Sequence, residues 1–339
     1  MNVDRLRSAL ADVLAALLGG PVEVAQLRVL TGGASRGTWA FTARAGDNQR
    51  RLILRTGLPD DVHAGMELEA RAQLLAAAQG APVPNVLIAD DSPVAVGVPF
   101  LICDEIEGET IPRRIFRALE GSAGESGSGG ESRRARLLRA CAEALAAIHR
   151  VQTPGLGLRE HDQLALWRHR LDEIGDTTAT FEWTLRWLSA NRPRPSPPRM
   201  VHGDFRMGNL IIRDGQLAAV LDWELVHIGE IYEDLAWFCI RAWRFGAATG
   251  RGAGGLGSIE SFLSAYESAS GTTVDRVAMR WWLIRATLSW GIICRYQAER
   301  HLSGQTRSVE LAAIGRRVCE TEWDLLDLLE ASARAGAPA

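Results

Sequence analysis

The chain has 339 residues, 47% of them hydrophobic, and a formal net charge of -3. That length allows about two domains and a substantial core, and the near-neutral balance gives no general polyanion-binding signal, so a nucleic-acid-binding protein is not expected. All 38 basic residues are arginine, so any motif that requires lysine has to be met by another residue.

Met1 to Leu18 carries Asp4, Arg5, Arg7 and Asp12 between Leu and Ala at helical spacing, which predicts an amphipathic helix rather than a secretory leader. No apolar run reaches membrane-spanning length, so the expectation is a soluble, cytoplasmic protein with no membrane partner. The cysteines Cys103, Cys141, Cys239, Cys294 and Cys319 are odd in number and form no CxxC pair. They read as reduced, mostly buried small hydrophobes.

Val24–Leu30 and Thr38–Arg44 read as strands around Thr31-Gly32-Gly33-Ala34-Ser35-Arg36-Gly37. Gly32 and Gly33 would let backbone amides approach phosphates, and Ser35 adds a hydroxyl donor. After the turn at Ala45 to Asn48, the run Leu52-Ile53-Leu54-Arg55 predicts a third strand, and Met66–Ala78 a helix with Leu68, Ala72 and Leu75 on one stripe. Glu67 and Glu69 in that helix face different directions, so only one can meet Arg55. Ala81-Pro82-Val83-Pro84 ends the helix in an extended segment. Val98 to Gly108 then reads as a buried strand leading to a hinge. Glu120 to Ser132 is Gly/Ser-rich, predicting a mobile loop that serves as a passive insertion or a lid. Arg136–Val151 is helical in period and ends near His149, a packing or capping group. The proline-rich connector Arg192 to Arg199 delivers the chain to the next strand.

That strand opens the most informative stretch, Met200 to Phe245. Leu210-Ile211-Ile212, the turn pair Asp214-Gly215, and Leu217 to Leu221 predict a hairpin. With Arg213 facing Gln216, counting outward sets Asn209 opposite Val220 and Asp222 two residues beyond. An amide oxygen and a carboxylate at one hairpin end suit a hard cation such as Mg2+, with phosphate oxygens and waters as its other ligands. Asp204, five residues before Asn209, can reach the same space.

His202-Gly203-Asp204-Phe205-Arg206-Met207-Gly208-Asn209, followed by a strand ending in Asp222, has the spacing of the catalytic loop of kinase-fold phosphoryl transfer. The chain resembles the aminoglycoside phosphotransferase and choline kinase superfamily, whose loop begins His-Gly-Asp. The resemblance implies an α+β, two-lobed protein-kinase-like fold. Residues 1–107 would form an antiparallel β-sheet lobe with one main helix, and 108–339 a larger, mostly helical lobe. It implies ATP and Mg2+ as cofactors. Asp204 would act on the acceptor hydroxyl, Asn209 and Asp222 would hold Mg2+, and His202 would brace the loop. Arg55 stands where the family usually has lysine on the nucleotide phosphates, and Glu69 is its implied partner. Asp104, Glu105 and Ile106 form the implied adenine hinge. Arg206, Arg241, Trp243 and Arg295 are candidate acceptor contacts from the helical lobe.

Gly229-Glu230-Ile231 departs from the family's Gly-Asp-Pro, while Asp234-Leu235-Ala236 conforms, and Asp234 reads as a brace capping free amides at a helix start. The short span after Asp222 and the missing Ala-Pro-Glu motif exclude a protein kinase. Glu233 to Trp237, Arg241 to Gly246 and Glu320 to Leu326 resemble the kinase-like domains fused to acyl-CoA dehydrogenases in animals. The expected activity is transfer of the γ-phosphoryl of Mg-ATP to a hydroxyl on a hydroxyacyl-CoA-like or aminoglycoside-like small molecule. The alternative is a pseudokinase that binds nucleotide or metabolite without chemistry. A serine hydrolase is disfavoured because no G-x-S-x-G elbow is present. The sequence does not set the oligomeric state.

Overall fold

The computed structural model describes residues 2–30, 37–57, 63–120 and 131–334. Gly32, Gly33, Ser35 and the Gly/Ser-rich segment 121–130 lie outside these.

The chain begins with α1 (Val3–Leu18), capped by Asn2, whose side chain accepts the Asp4 N–H at 2.9 Å. Five strands follow, interrupted by one helix: β1 (Glu23–Val29), β2 (Gly37–Ala45), β3 (Asn48–Thr56), α2 (Met66–Ala78), β4 (Val86–Asp90) and β5 (Phe100–Asp104). They form one antiparallel sheet in the order β1-β2-β3-β5-β4.

The sheet is buried on both faces, and strand alternation decides what goes where. Leu52, Leu54, Phe100 and Ile102 pack with Leu6, Leu10 and Leu14 of α1. The intervening Leu101 and Cys103 pack with Met66 and Ala70 of α2, joined by Ile53. Arg55 shares the parity of Ile53 and is therefore delivered to the α2 side. Burial pushes the Cys103 thiol up to about 12, so it packs as an un-ionised hydrophobe. Cys141, Cys239 and Cys294 are also buried, whereas Cys319 is exposed.

The remainder is mainly helical: α3 (Pro112–Glu120), α4 (Arg133–His149), α5 (Gln163–Ile174), α6 (Ala179–Ala190), α7 (Tyr232–Cys239), α8 (Ile259–Ser270), α9 (Arg276–Leu302), α10 (Val309–Gly315) and α11 (Val318–Arg334). The short strands β6 (Arg199–Val201) and β9 (His227–Gly229) pair with each other. β7 (Leu210–Arg213) and β8 (Gln216–Val220) form the predicted hairpin. Of the tryptophans whose type suggests core packing, Trp281 and Trp282 of α9 are buried and Trp290 is half-buried, whereas Trp323 of α11 is 65% exposed.

Together these elements make the two-part, kinase-like α+β fold expected from the sequence. The connection after β5 lies against the hairpin: Glu109 exchanges backbone hydrogen bonds with Ile212 at 2.8 and 2.9 Å. Gly108 permits this approach, because a Cβ there would sit 2.4 Å from Ile211 Cγ2 and 2.8 Å from Ile212 O. Among the described residues no helix is long and apolar enough to cross a membrane.

Candidate active site

The hairpin turn is Asp214-Gly215, both with positive φ (53° and 76°), the geometry an Asp-Gly turn favours. Arg213 faces Gln216 as predicted, but the register then slips by one. Ile212 pairs with Leu217 and Ile211 with Ala219, leaving Ala218 as a bulge. Asn209 consequently lies opposite Leu221 rather than Val220, and its carbonyl accepts the Leu221 N–H at 2.8 Å. Counting from the turn missed this because an Ala-Ala pair gives no sign of which residue bulges. The slip brings Asn209 one residue closer to Asp222, which adopts a left-handed backbone (φ 68°, ψ 62°) at the strand exit.

The loop from His202 to Asn209 is held from beneath. Asp234, fully buried, accepts the backbone N–H of His202 at 2.7 Å and of Gly203 at 2.9 Å. The free amides that Asp234 caps are thus not those of its own helix start but those of the 202–209 loop. His149 lies 3.1 Å from the same carboxylate through Nε2 and 2.8 Å from the Tyr266 hydroxyl through Nδ1. Burial works to raise the Asp234 pKa, but the His149 hydrogen bond and the surrounding donors outweigh it and hold it below the usual carboxylate value.

His202 is fully buried, its ring tilted on Trp223. Burial pushes its pKa down, which favours the neutral ring. In that form Nε2–H donates to Leu221 O at 3.0 Å, and Nδ1 accepts the Asp204 N–H at 3.2 Å. Gly203 has φ 85°, and a Cβ there would sit 2.5 Å from Leu225 O, so the loop closes only with glycine at this position.

The Asp204 carboxylate takes donors from three sides. Asn209 Nδ2 reaches Oδ2 at 2.7 Å, Trp237 Nε1 reaches Oδ1 at 2.6 Å, and Arg206 Nε lies 3.0 and 3.1 Å from the two oxygens. Arg206 also stacks over Trp243, 5.0 Å from the ring centroid. Because Asn209 uses its amide nitrogen on Asp204, its oxygen is the atom left for a cation.

Arg55 bridges from the sheet to the hairpin. One guanidinium nitrogen bonds Glu69 of α2, and the other lies 2.8 Å from Asp222 Oδ1 and 3.8 Å from Glu224. Burial opposes its charge, but Glu69, Asp222 and Glu224 prevail and raise its pKa. Glu67 points elsewhere, toward the Asp91 backbone.

Asn209 and Asp222 offer an amide oxygen and a carboxylate oxygen. Among the described residues no three His, Cys, Asp or Glu groups converge to hold a metal alone. A sparse, all-oxygen donor set fits Mg2+ completed by phosphate and water better than it fits a closed protein cage.

At the expected hinge, the N–H groups of Asp104 and Glu105 are used by Asn85 O and Arg51 O, both at 3.0 Å. Their carboxylates are held by Arg50 and Arg51, Asp104 by Arg50 at 2.6 and 2.8 Å. Among the described residues Ile106 is the next backbone donor along this edge without a hydrogen-bond partner.

Of the candidate acceptor residues, Arg206 and Trp243 join the catalytic loop. Arg241 follows α7 and pairs with Asp324 at 3.0 Å. Arg295 instead bonds Asp176 at the end of α5. It lies five residues from Trp290, about 140° around α9 at 3.6 residues per turn, so the structure does not group it with the others. Trp237, Glu224, His149 and Tyr266 were not read from sequence as site residues. Trp237 closes the Glu-Asp-Leu-Ala-Trp stretch and Glu224 follows Asp222 by two, so proximity to motif residues was their only signal.

A family model described as the APH phosphotransferase enzyme family matches residues 26–282. The chain is 32% identical over 256 residues to acyl-CoA dehydrogenase family member 10 of Mus musculus, covering 69% of this chain but 22% of that protein. It thus spans less than a quarter of that relative. Among solved structures, a candidate aminoglycoside phosphotransferase from Ralstonia eutropha superimposes with a TM-score of 0.73 at 19% identity, covering 96% of this chain and 98% of the other. A thermostable aminoglycoside phosphotransferase mutant in ternary complex with AMP-PNP and hygromycin B gives a TM-score of 0.57 at 16% identity, covering 96% and 99%.

Proposed function

Because the chain belongs to the APH phosphotransferase enzyme family, and is with it a small-molecule phosphotransferase acting on a hydroxyl, we propose that it transfers the γ-phosphoryl of Mg-ATP to a metabolite such as a hydroxyacyl-CoA. The observation that carries this reading is the convergence of Asp204, Asn209, Asp222 and Arg55 at one hairpin end, each held by defined partners.

In this reading Asn209 Oδ1 and Asp222 would hold the metal, which would neutralise charge on the nucleotide phosphates. Arg55 keeps one guanidinium nitrogen on Glu69 and turns the other from Asp222 to a phosphate oxygen. The Ile106 N–H would face the adenine. Asp204 accepts the acceptor's O–H, orients its oxygen toward the γ-phosphorus, and takes the proton as the new P–O bond forms and ADP departs. Of the three groups that donate to Asp204, Arg206 at 27% exposed is less buried than Asn209 or Trp237, and is the one an incoming hydroxyl would displace most readily. The lobes divide near residue 107, and the protein works in the cytoplasm.

The second reading is a nucleotide-binding module without turnover. It is favoured by arginine at position 55 and by the contact of that arginine with Asp222, which competes with a metal. Mg-ATP consumption across a panel of hydroxyacyl-CoAs, aminoglycosides, choline, homoserine and sugars separates the two. Acceptor-dependent ADP release that disappears in Asp204→Ala supports the enzyme. Tight Mg-ATP binding with no acceptor-dependent release supports the module.

A further inference from the structure

A cleft of about 460 Å³ opens between α3, the turn Arg241–Arg244 and the α10–α11 junction. Arg113, Arg241, Arg244 and Arg317 line it, against Glu320 as the one lining carboxylate. A second cleft of about 280 Å³ shares Arg241, Arg317 and Glu320 and adds Trp290, Trp323 and Asp324.

The carboxylates do not neutralise these arginines evenly. Asp324 is taken by Arg241 at 3.0 Å and Glu320 by Arg317 at 3.1 Å. Among the described residues Arg113 and Arg244 have no ion-pair partner. Arg244 is partly buried: its Nη2 reaches only the Cys239 carbonyl at 3.4 Å, and its Nε is buried without a hydrogen-bond partner. Burial, with Arg241 adding to it, lowers its pKa, and Asp324 nearby offsets this only in part. A guanidinium in that position is completed by a bound anion, which planar paired N–H donors suit.

The cleft is linked to Asp204 through a layer of tryptophans. The turn that supplies Arg241 and Arg244 also supplies Trp243, which lies 5.3 Å from Trp237 and 4.6 Å from Trp290 between ring centroids. Trp237 donates to Asp204, and Trp290 walls the second cleft. One aromatic layer therefore separates Asp204 from the arginines.

We propose that this cleft is an anion subsite that holds a phosphate- or carboxylate-bearing tail of the acceptor while the acceptor's hydroxyl lies at Asp204. The inference rests on the phosphotransferase reading and names the substrate class: an anionic acceptor, with polycations disfavoured by Arg113, Arg241, Arg244 and Arg317. The partly free pair Arg113 and Arg244 makes the primary contact. Arg241 and Arg317 set the surrounding potential.

Isothermal titration tests it in two stages at low salt. Mg-AMP-PNP is titrated first, which reads the nucleotide site by itself. With that site saturated, inorganic pyrophosphate and tricarballylate are titrated as phosphate and carboxylate probes, with kanamycin as a polycation. Saturable binding of either anion, weakened at least tenfold by Arg113→Gln and by Arg244→Gln with AMP-PNP affinity within threefold of wild type, supports the subsite and identifies its preferred tail. Arg113 is exposed, so its replacement keeps the test valid should Arg244→Gln fail to fold. No anion binding, binding indifferent to Arg113→Gln, or tighter binding of kanamycin than of both anions overturns the proposal. Absence of AMP-PNP binding counts against the phosphotransferase reading instead, and the anion titration still reads the cleft.

Discussion

Arg55 provides the sharpest quantitative test, because its neighbours fix what its loss should cost. Its side chain is 14% exposed, Glu69 is fully buried, and Asp222 and Glu224 complete a ring of three carboxylates around one guanidinium. Arg55→Met preserves the aliphatic stem and removes the charge. An exposed ion pair would lose about 0.2–1 kcal/mol. Breaking a buried one costs about 3–5 kcal/mol, because a carboxylate is left in low dielectric without its counter-charge. The burial of Glu69 places this site in the second class, a large share of a typical total stability of about 5–15 kcal/mol. Glu69→Gln in the Arg55→Met background should recover part of the loss, giving a coupling of about 2 kcal/mol in a double-mutant cycle. Urea unfolding of the four proteins at pH 7 measures it. A loss below about 1 kcal/mol for Arg55→Met, with the two substitutions additive within about 0.5 kcal/mol, would refute the reasoning that this is a buried, coupled pair.

Asp204→Ala should lower acceptor-dependent turnover by about 10²–10⁴-fold while Mg-ATP affinity changes by less than about threefold, since in the proposed mechanism Asp204 serves the acceptor rather than the nucleotide; steady-state kinetics with nucleotide titration checks this. Gly203→Ala forces a Cβ to 2.5 Å from Leu225 O at φ 85°, and should cost about 1–3 kcal/mol in unfolding experiments and depress turnover through the loop. Two histidines should act on stability with opposite signs. Burial holds His202 below its ordinary 6.5, so the unfolded chain binds its proton first and the contribution is complete above about pH 6.5 and declines as pH falls. Burial also opposes charge on His227, but Glu233, 3.0 Å away, raises its pKa. Its contribution is complete below about pH 6.5 and is lost as pH rises through the raised folded value. Urea midpoints of wild type and His227→Gln from pH 5 to 9 should therefore converge on the alkaline side, and parallel profiles would reject this assignment.

The elements that sequence predicted well are those whose signal is local. The α2 boundaries and the Asp-Gly turn follow from periodicity and from the φ requirements of two residues, whereas Glu69 rather than Glu67 as the partner of Arg55 rested on the family resemblance. The Ala218 bulge was illegible because both neighbouring alanines fit either register. Asp234 was placed at a helix start but not on the right amides, since its partners lie 31 and 32 residues away in sequence. Trp237 and Tyr266 carry no mark that separates a ring used for its N–H or hydroxyl from one used for packing. Arg295 was grouped with the acceptor residues because the resemblance builds the acceptor cleft from the helical lobe, and helical phase sends it to Asp176.

The two halves of the site are held in different ways, and this bears on whether the chain turns over substrate. Asp204 is fixed through Asp234, His149 and Tyr266, contributed by α7, α4 and α8, in a fully buried chain of hydrogen bonds that no ligand needs to complete. The hairpin side is different. Asp222 is one-third exposed, and its partner Arg55 belongs to the sheet, so the contact spans both parts of the fold and lies where phosphate and metal would enter. A charged contact of this kind can exchange partners at small cost, Arg55 passing to a phosphate as Asp222 passes to a metal, whereas the loop beneath Asp204 would lose several bonds at once if it moved. Under the proposed function, this is a rigid acceptor carboxylate beside an exchangeable nucleotide clamp, the division of labour that phosphoryl transfer by positioning and charge neutralisation requires. A module that only held nucleotide would need the clamp, but nothing in its task would require Gly203, His202 and Asp234 to fix Asp204 so firmly.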